Sequence, residues 1–255
     1  SDEFVHKYCK KFDLNILPAK QYDGIYVRNK HIHMKNLVSG KAKLPFDGTL
    51  NGKLFGQEVK YIQKWIDLAK KEGVNNKQVQ ALDKISVEAL LIKSGAPKDI
   101  IELYTYLNAT ESTTIPSKMS ALSMIQSHVK TSGFSEDTIE GRILGGNDQL
   151  PKAFAKNLGT KIKYNHAVRR INATSNGIEV HFTNKENNYT IKGTKIVFAI
   201  PTTILKNIKV NPGFSKEKDY SIRNQSYGHV MKVAMQFQQR FWDSTNSIGQ
   251  RVFTD

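Results

Sequence analysis

Apolar residues recur at helical spacing through roughly the first half of the chain. This period predicts helices over about 1–12, 57–72, 86–94, 97–106 and 117–130. Ser1 is placed to cap the first of them. Two short alternating stretches, 24–28 and 31–34, predict a β-hairpin that turns at Asn29 and Lys30, and residues 37–55, rich in Gly, Lys and Pro, predict a loop. The segment 24–141 is therefore expected to be mostly helical, with a small sheet.

The pattern changes from helical to strand-like at about Arg142. It predicts a short helix over 151–158, ended by Gly159, and strands over 161–171, 177–182, 189–192 and 194–200. Residues 196–200 form a continuous apolar run, typical of a strand in a buried sheet, and Pro201 ends it. A helix is expected over 219–224.

A last strand is predicted over 229–237, where apolar and other residues alternate. Its expected core face consists of Met231, Val233, Met235 and Phe237, which leaves Lys232 on the opposite face. From this pattern alone, Lys232 is either an ordinary lysine on a wet face or a partly desolvated one. Desolvation would lower the pKa of its ammonium group and suit it to proton handling.

Composition and charge narrow the class of protein. The chain has 255 residues, 39% of them apolar and 24% charged, as in an ordinary globular protein, with a formal net charge of +15. Its lysines are scattered and form no block of five or six, which favours solvated faces over a nucleic-acid site, although a basic binding module stays an alternative. The single cysteine, Cys9, excludes an intrachain disulfide, and no apolar run is long enough to span a bilayer.

Other kinds of catalytic site find little support. The histidines form no cluster with cysteines or acids, so no zinc or iron site is expected, and no Gly-x-Ser-x-Gly elbow occurs. Residues 48–53 are one residue short of a phosphate loop and follow no apolar strand. Gly145 and Gly146 fit either a plain turn or a backbone that approaches a ligand.

Four blocks resemble, in order and spacing, the middle of the flavin-dependent amine oxidases. They are Gly145-Gly146-Asn147-Asp148-Gln149-Leu150-Pro151, then 166–171, then 196–201, and last 231–242, which ends on Phe241-Trp242. The resemblance is to the flavin monoamine oxidase superfamily, and more closely to its L-amino acid oxidase and bacterial amine oxidase branches. It implies an α/β (α+β) fold, in which a substrate domain of mixed sheet plus helices interleaves with a glutathione-reductase-type FAD-binding domain. The expected segments are 1–141 and 205–255 for the substrate domain and 142–204 for the FAD domain.

The resemblance also implies a chemistry and a set of site residues. In this family an amine or L-amino acid loses a hydride to flavin N5, and molecular oxygen takes up the electrons to give hydrogen peroxide. Lys232 matches the lysine that holds a water against the flavin. Val168 matches a valine whose main chain contacts the adenosine end of FAD, and its alternative reading is an ordinary core valine. Gly145, Gly146, Pro201 and Trp242 match further cofactor-binding positions.

Parts of the family pattern are not found in these residues. No Gly-x-Gly-x-x-Gly motif is present to hold the pyrophosphate of FAD. Together with Ser1, which is not a start methionine, this makes an interior piece of an oxidase the expectation, one that neither retains FAD nor turns over alone. A related flavin desaturase or protoporphyrinogen-type oxidase stays an alternative.

The substrate stays open at this level. An amino-acid oxidase needs a cation for the carboxylate, and Arg142, Arg223 and Arg251 are available, although none is placed by the pattern. No metal, nucleic acid or membrane segment is expected, and a homodimer is compatible with the resemblance.

Overall fold

The structure, a computed structural model, describes residues 2–19, 22–131, 141–185, 187–243 and 252–254. Its α-helices are α1 (Asp2–Lys11), α2 (Met34–Val38), α3 (Val59–Glu72), α4 (Lys77–Gln80), α5 (Val87–Lys93), α6 (Lys98–Ser112), α7 (Ala121–Thr131), α8 (Gln149–Leu158), α9 (Thr202–Leu205) and α10 (Lys216–Asn224). Its strands are β1 (Ile16–Pro18), β2 (Gly24–Val27), β3 (Lys30–His33), β4 (Gly141–Ile143), β5 (Ala167–Thr174), β6 (Gly177–Asn184), β7 (Asn187–Gly193), β8 (Lys209–Asn211) and β9 (Val252–Thr254).

Packing divides the chain into two compact units, each made of two segments that are distant in sequence. Residues 3–15 and 143–227 form one, called here the sheet unit. Residues 16–142 and 228–255 form the other, called the helical unit. The roles expected for the segments 1–141, 142–204 and 205–255 stay predictions.

The main core of the helical unit is built by helices that the apolar period predicts. Ile62 and Ile66 of α3, Leu90 of α5 and Ile125 of α7 are fully or almost fully buried in one cluster. Ser86 caps α5, because its hydroxyl oxygen accepts from the Ala89 N–H at 3.1 Å. These helices agree with the prediction, except that α6 runs on to Ser112 and α7 begins only at Ala121.

A second core in the helical unit lies under a three-stranded sheet of order β3-β2-β9. Strands β2 and β3 form the predicted antiparallel hairpin, with Ile25 opposite Ile32, while β9 pairs with β2 in parallel. The turn falls at Arg28 and Asn29, which both adopt positive φ, at 49° and 59°. This is one residue earlier than predicted, and Met34 begins α2 instead of ending the strand. The remaining strands of this region, β1 and β4, pair with each other.

The sheet unit is centred on a four-stranded sheet of order β7-β6-β5-β8. Strands β5, β6 and β7 form an antiparallel meander, and β8 pairs with β5 in parallel through Arg170–Asn172. Helix α1 packs on α8 in the same unit through aromatic rings. The Phe154 ring lies 4.6 Å from that of Tyr8 and 4.9 Å from that of Phe12.

Three predicted strands are wrong in whole or in part. The stretch 161–166 forms no strand, since a 3₁₀ helix covers Gly159–Lys161 and β5 begins only at Ala167. Residues 194–200 and 229–237 form no strand either. Val197 and Met231 are each 87% exposed, and Val233 and Met235 each 71%. The expected core face of 229–237 is therefore on the surface.

The physical reason is that a strand cannot form its backbone hydrogen bonds within its own segment. Its N–H and C=O groups need a neighbouring strand. Within the described ranges, no strand pairs with 194–200 or 229–237. The alternation of apolar residues is a local property, whereas the pairing that would use it is not.

Candidate functional site

The glycine pair forms the turn between β4 and α8 in the sheet unit. Gly145 and Gly146 have φ values of 83° and 114°, a region that side chains with a Cβ rarely adopt. The turn is closed by main-chain bonds from the Gly146 N–H to the Ile143 oxygen at 2.9 Å, and from the Gln149 N–H to the Gly146 oxygen at 3.1 Å. Both glycines are exposed, and so the turn presents bare backbone at the start of a helix.

Val168 lies near the start of β5, at a place where one strand edge is open. On one side it is opposite Phe182 of β6, and the register shifts between Val168 and Arg170. On the other side, β8 pairs only with Arg170–Asn172. Of the described strands, none therefore pairs with Val168 on that side.

Pro201 lies between a segment without regular secondary structure, 194–200, and the short helix α9. Its carbonyl oxygen accepts from the N–H groups of Ile204 at 2.9 Å and Leu205 at 3.0 Å. The Tyr227 hydroxyl accepts from the Thr202 N–H at 3.1 Å and so holds the first residue of the helix. Pro201 itself is exposed.

Lys232 lies in the helical unit, in a segment without regular secondary structure. The prediction of a mid-strand position is therefore wrong in the structure. The Lys232 side chain is exposed, and it makes no ion pair or hydrogen bond with any other described residue. Its ammonium group is free to engage a water or another group.

Trp242 belongs to a small aromatic cluster that follows Lys232 in the chain. It lies in a 3₁₀ helix, Phe241–Asp243, with its ring centroid 5.0 Å from that of Phe241 and 5.9 Å from that of Phe237. All three ring pairs are edge to face, the arrangement favoured by the aromatic quadrupole. The Phe241-Trp242 pair is therefore held by local packing.

The six predicted site residues divide between the two units. Gly145, Gly146, Val168 and Pro201 belong to the sheet unit, while Lys232 and Trp242 belong to the helical unit. Their assigned roles in catalysis and cofactor binding stay predictions. Of the cations considered for a substrate carboxylate, Arg142 is exposed on β4, Arg223 pairs with Asp219 on α10, and Arg251 lies outside the described residues.

One charged network was not found by sequence reasoning. The Arg28 guanidinium donates to Asp99 at 2.9 Å, to Glu102 at 2.8 Å and to the Pro45 oxygen at 2.6 Å. It also lies 4.3 Å from the centroid of the Phe46 ring. Hydrogen bonds from Arg28 lower the pKa of both carboxyl groups. The sequence contains one sign of this network, the spacing of Asp99 and Glu102, which places both carboxylates on one face of α6.

A second polar cluster in the helical unit links the start of α3 to the end of α7. The buried Glu58 carboxylate lies 3.3 Å from Nε2 of His128. Burial, followed by the nearby Glu58 carboxylate, raises the pKa of Tyr104 to about 12. The contact between Glu58 and His128 joins elements of the core.

These residues fit a flavin cofactor only in part. At Val168, β5 has no described strand neighbour on one side, and the exposed Gly145–Gly146 turn carries no Cβ that would keep a ligand from its backbone. For the pyrophosphate, these 255 residues contain no Gly-x-Gly-x-x-Gly motif.

Comparison with known proteins extends these observations. The family model of the flavin-containing amine oxidoreductases matches residues 8–253. An L-amino-acid oxidase of Vipera ammodytes ammodytes is 23% identical over 263 residues, covering 98% of this chain and 52% of the relative. A flavin-containing amine oxidase of Danio rerio is 25% identical over 259 residues, covering 93% of this chain and 48% of the relative. The chain thus spans about half the length of these relatives.

Two solved oxidase structures are also similar to this chain in fold. Putrescine oxidase bound to putrescine aligns with a TM-score of 0.67 at 16% identity, over 88% of this chain and 50% of that one. Cyclohexylamine oxidase from Brevibacterium oxydans aligns with a TM-score of 0.63 at 16% identity, over 86% of this chain and 49% of that one. The expectation of a mixed α/β fold of the flavin amine oxidase type is confirmed. Among the described helices, none is long and apolar enough to cross a bilayer.

Proposed function

Because this chain belongs to the family of flavin-containing amine oxidoreductases, we propose that the full-length protein oxidises a primary or secondary amine or an L-amino acid. The products are the imine and hydrogen peroxide. The observation that carries this proposal is the family match over residues 8–253. The matched residues include, in order, the glycine pair, Val168, Pro201, Lys232 and Trp242.

FAD is the cofactor proposed, and when bound it supplies the acceptor for the hydride that leaves the α-carbon, before molecular oxygen takes the electrons. In the sheet unit, the open edge of β5 at Val168 would hold the adenosine end through main-chain groups. The backbone at Gly145 and Gly146 would allow close approach to the cofactor, because no Cβ stands in the way. Pro201 would fix the start of α9 beside it.

Lys232 is the residue proposed to act nearest the chemistry. An ammonium group has three donors and no acceptor, so Lys232 can hold a water by its oxygen and keep that water's hydrogens available. Its role is to position that water and to move a proton at the Lys232 Nζ atom. The edge-to-face Phe241-Trp242 pair would supply an apolar wall that excludes other water.

The test is a comparison of full-length wild-type protein with Lys232→Met. We expect the wild type to show flavin absorbance and to release peroxide with one or more compounds from a screen of L-amino acids and simple amines. Loss of a proton-handling group lowers turnover typically by 10²–10⁴, so we expect Lys232→Met to keep its flavin spectrum but lose about a hundredfold in turnover. The compounds that react identify the branch of the family.

The matched control is Lys41→Met, which removes an exposed lysine from a loop of the same unit. It should leave turnover unchanged. A full-length protein with neither flavin nor peroxide release would refute the oxidase proposal, whereas equal turnover in wild type and Lys232→Met would refute the role of Lys232 alone. The 255 residues expressed by themselves are expected to be colourless, because they lack a pyrophosphate motif.

A further inference from the structure

The sheet unit contains a surface pocket that the proposed oxidase chemistry does not use. It has a volume of about 430 Å³ and lies between the turn that links α9 to β8, at 205–210, and one face of α10. Pockets that take small molecules have volumes of about 300–1,000 Å³. The space is therefore sufficient for a compact organic ligand.

The floor and one wall of this pocket are apolar and well supported. Leu205 and Ile222 line it and are each only 7% exposed. Phe214 forms a wall, and its ring is held by the edge-to-face contact of Phe198 at 5.7 Å and by the Lys218 ammonium at 4.6 Å. A ligand can therefore place an apolar body against side chains that are already ordered.

The rim of the pocket carries an excess of positive charge. Lys206, Lys209 and Arg223 line it, together with one carboxylate, that of Asp219, so the lining residues carry a formal charge of +2. The Arg223 Nε atom donates to Asp219 Oδ2 at 2.6 Å, which orients the guanidinium plane. The two terminal nitrogens of Arg223 bond to no other described residue, and they are suited to a carboxylate or sulfonate.

The pairing of strands in the sheet adds further positive charge next to Lys209. Lys209 on β8 lies directly opposite Arg170 on β5, and Arg170 lies opposite His181 on β6. Residues directly opposite in a sheet project from the same face, and like charges there destabilise it. Of the described residues, none with an acidic side chain pairs with Lys209 or Arg170. An anion near Lys209 would relieve this repulsion.

We propose that this pocket binds a small organic anion that has an aromatic or branched apolar body and one carboxylate or sulfonate group. The body lies against Phe214 and Ile222. The charged group faces Lys209 and Arg223. This site is independent of the proposed amine oxidation, and neither requires the other.

The test uses methyl-labelled full-length protein and NMR titration with three probes. Naphthalene-2-sulfonate has both features, 2-naphthalenemethanol has only the apolar body, and inorganic sulfate has only the charge. We expect naphthalene-2-sulfonate to shift the methyl signals of Leu205, Ile208, Val210 and Ile222 with one saturation curve. 2-Naphthalenemethanol should bind at least about tenfold more weakly, because a hydrogen bond to a charged group contributes about 1.5–3 kcal/mol, and tenfold in affinity is about 1.4 kcal/mol. Sulfate should also bind at least about tenfold more weakly, because it has no apolar surface to bury, and burial contributes roughly 25 cal/mol per Å².

Charge variants locate the site. Lys209→Gln and Arg223→Gln should each weaken binding of naphthalene-2-sulfonate about tenfold. Lys163→Gln makes the same change in net charge at an exposed residue that does not line the pocket, and it should leave the affinity unchanged. The methyl spectrum of each free variant checks that it is folded.

Three outcomes would overturn the proposal. One is equal binding of the neutral probe, and another is equal binding of sulfate. The third is a set of shifts centred on exposed apolar residues outside the pocket, such as Val197 and Val233, with affinity unchanged in both pocket variants.

Discussion

Arg28 shows how one residue can join parts of the helical unit that are far apart in the sequence. Its positive φ of 49° belongs to the hairpin turn, and its partners Asp99 and Glu102 lie 71 and 74 residues later, on α6. The guanidinium also donates to the Pro45 oxygen and stacks on Phe46. Turn, loop and helix thus meet at a single side chain.

This network predicts a pH dependence of stability. The folded pKa values of Asp99 and Glu102 lie below their ordinary 3.8 and 4.5, chiefly because Arg28 hydrogen-bonds the carboxylates. Their contribution is therefore complete above the ordinary values and is lost as the pH falls from about 5 through the lowered ones. We expect Arg28→Ala to lower the urea midpoint at pH 7, and the difference from wild type to shrink toward pH 3.

The control for this measurement is Lys30→Ala on the same hairpin, an exposed residue for which the difference should be small at every pH. A difference for Arg28→Ala that stays constant from pH 7 to pH 3 would contradict the electrostatic account. The contribution of Arg28 would then come from its packing on Phe46. Since the three side chains are partly exposed, solvent screening keeps the effect modest.

At the residue scale, the sequence was informative where the signal is local. Gly145 and Gly146 were singled out as a turn or close-approach site, and both have the positive φ that such a site requires. Arg28 was not singled out, because nothing within the hairpin indicates its partners. Lys232 was placed in a strand that the structure does not form, and its role stays a prediction.

Helices and strands differ in how far their elements could be predicted. A helix makes its hydrogen bonds within its own segment, and so the apolar spacing of α3 and α5 was sufficient to predict both. The run at 196–200 has the composition of a buried strand, yet no described strand pairs with it. Composition indicates a preference for a strand but carries no information on the neighbour that the strand requires.

Helix α5 offers a direct test of which positions stabilise the helical unit. Leu91 is fully buried, while the adjacent Ile92 is 60% exposed. Leu91→Ala should lower the free energy of unfolding by about 2–5 kcal/mol, because it leaves a cavity and removes buried apolar surface. Ile92→Ala, on the same helix, should change it by less than about 0.5 kcal/mol.

Urea denaturation, monitored by circular dichroism, gives the free energy of unfolding of both variants of α5. Equal losses for Leu91→Ala and Ile92→Ala would contradict the burial that the structure assigns to this helix. Both substitutions introduce alanine into the same helix, so helix propensity contributes little to the difference between them.

For the whole molecule, the principal feature is that each unit is assembled from two distant segments. The sheet unit joins residues 3–15 to 143–227, and the aromatic contacts of Phe154 with Tyr8 and Phe12 lie at this junction. No periodicity within either segment could have predicted it. The family resemblance implied interleaved domains, but its expected segment 1–141 did not separate residues 3–15 from the rest of that segment.

Chemical labelling of Cys9 can measure how often α1 detaches at this junction, because Cys9 is the single cysteine and is only 1% exposed. Phe154→Ala removes the ring on which α1 packs, so α1 should detach more often. We expect a thiol reagent such as DTNB to modify Cys9 at least about tenfold faster in this variant, which corresponds to about 1.4 kcal/mol of local opening.

The control for this labelling experiment is Phe4→Ala, which removes a ring that is 65% exposed on the same helix. Its labelling rate should match that of the wild type. If Phe154→Ala, still folded by circular dichroism, also labelled at the wild-type rate, the aromatic junction would not be what holds α1.

The segment order within each unit also has a consequence for synthesis on the ribosome. Helix α1 is made about 150 residues before Phe154, on which it packs, and β2 is made about 230 residues before β9, its parallel neighbour. At about 5–20 residues per second, each waits on the order of ten seconds or more for its partner. During that interval Tyr8, Phe12 and the open edge of β2 are accessible to chaperones and to other nascent chains. The time at which the fold closes is therefore set by the elements that lie furthest apart in the sequence.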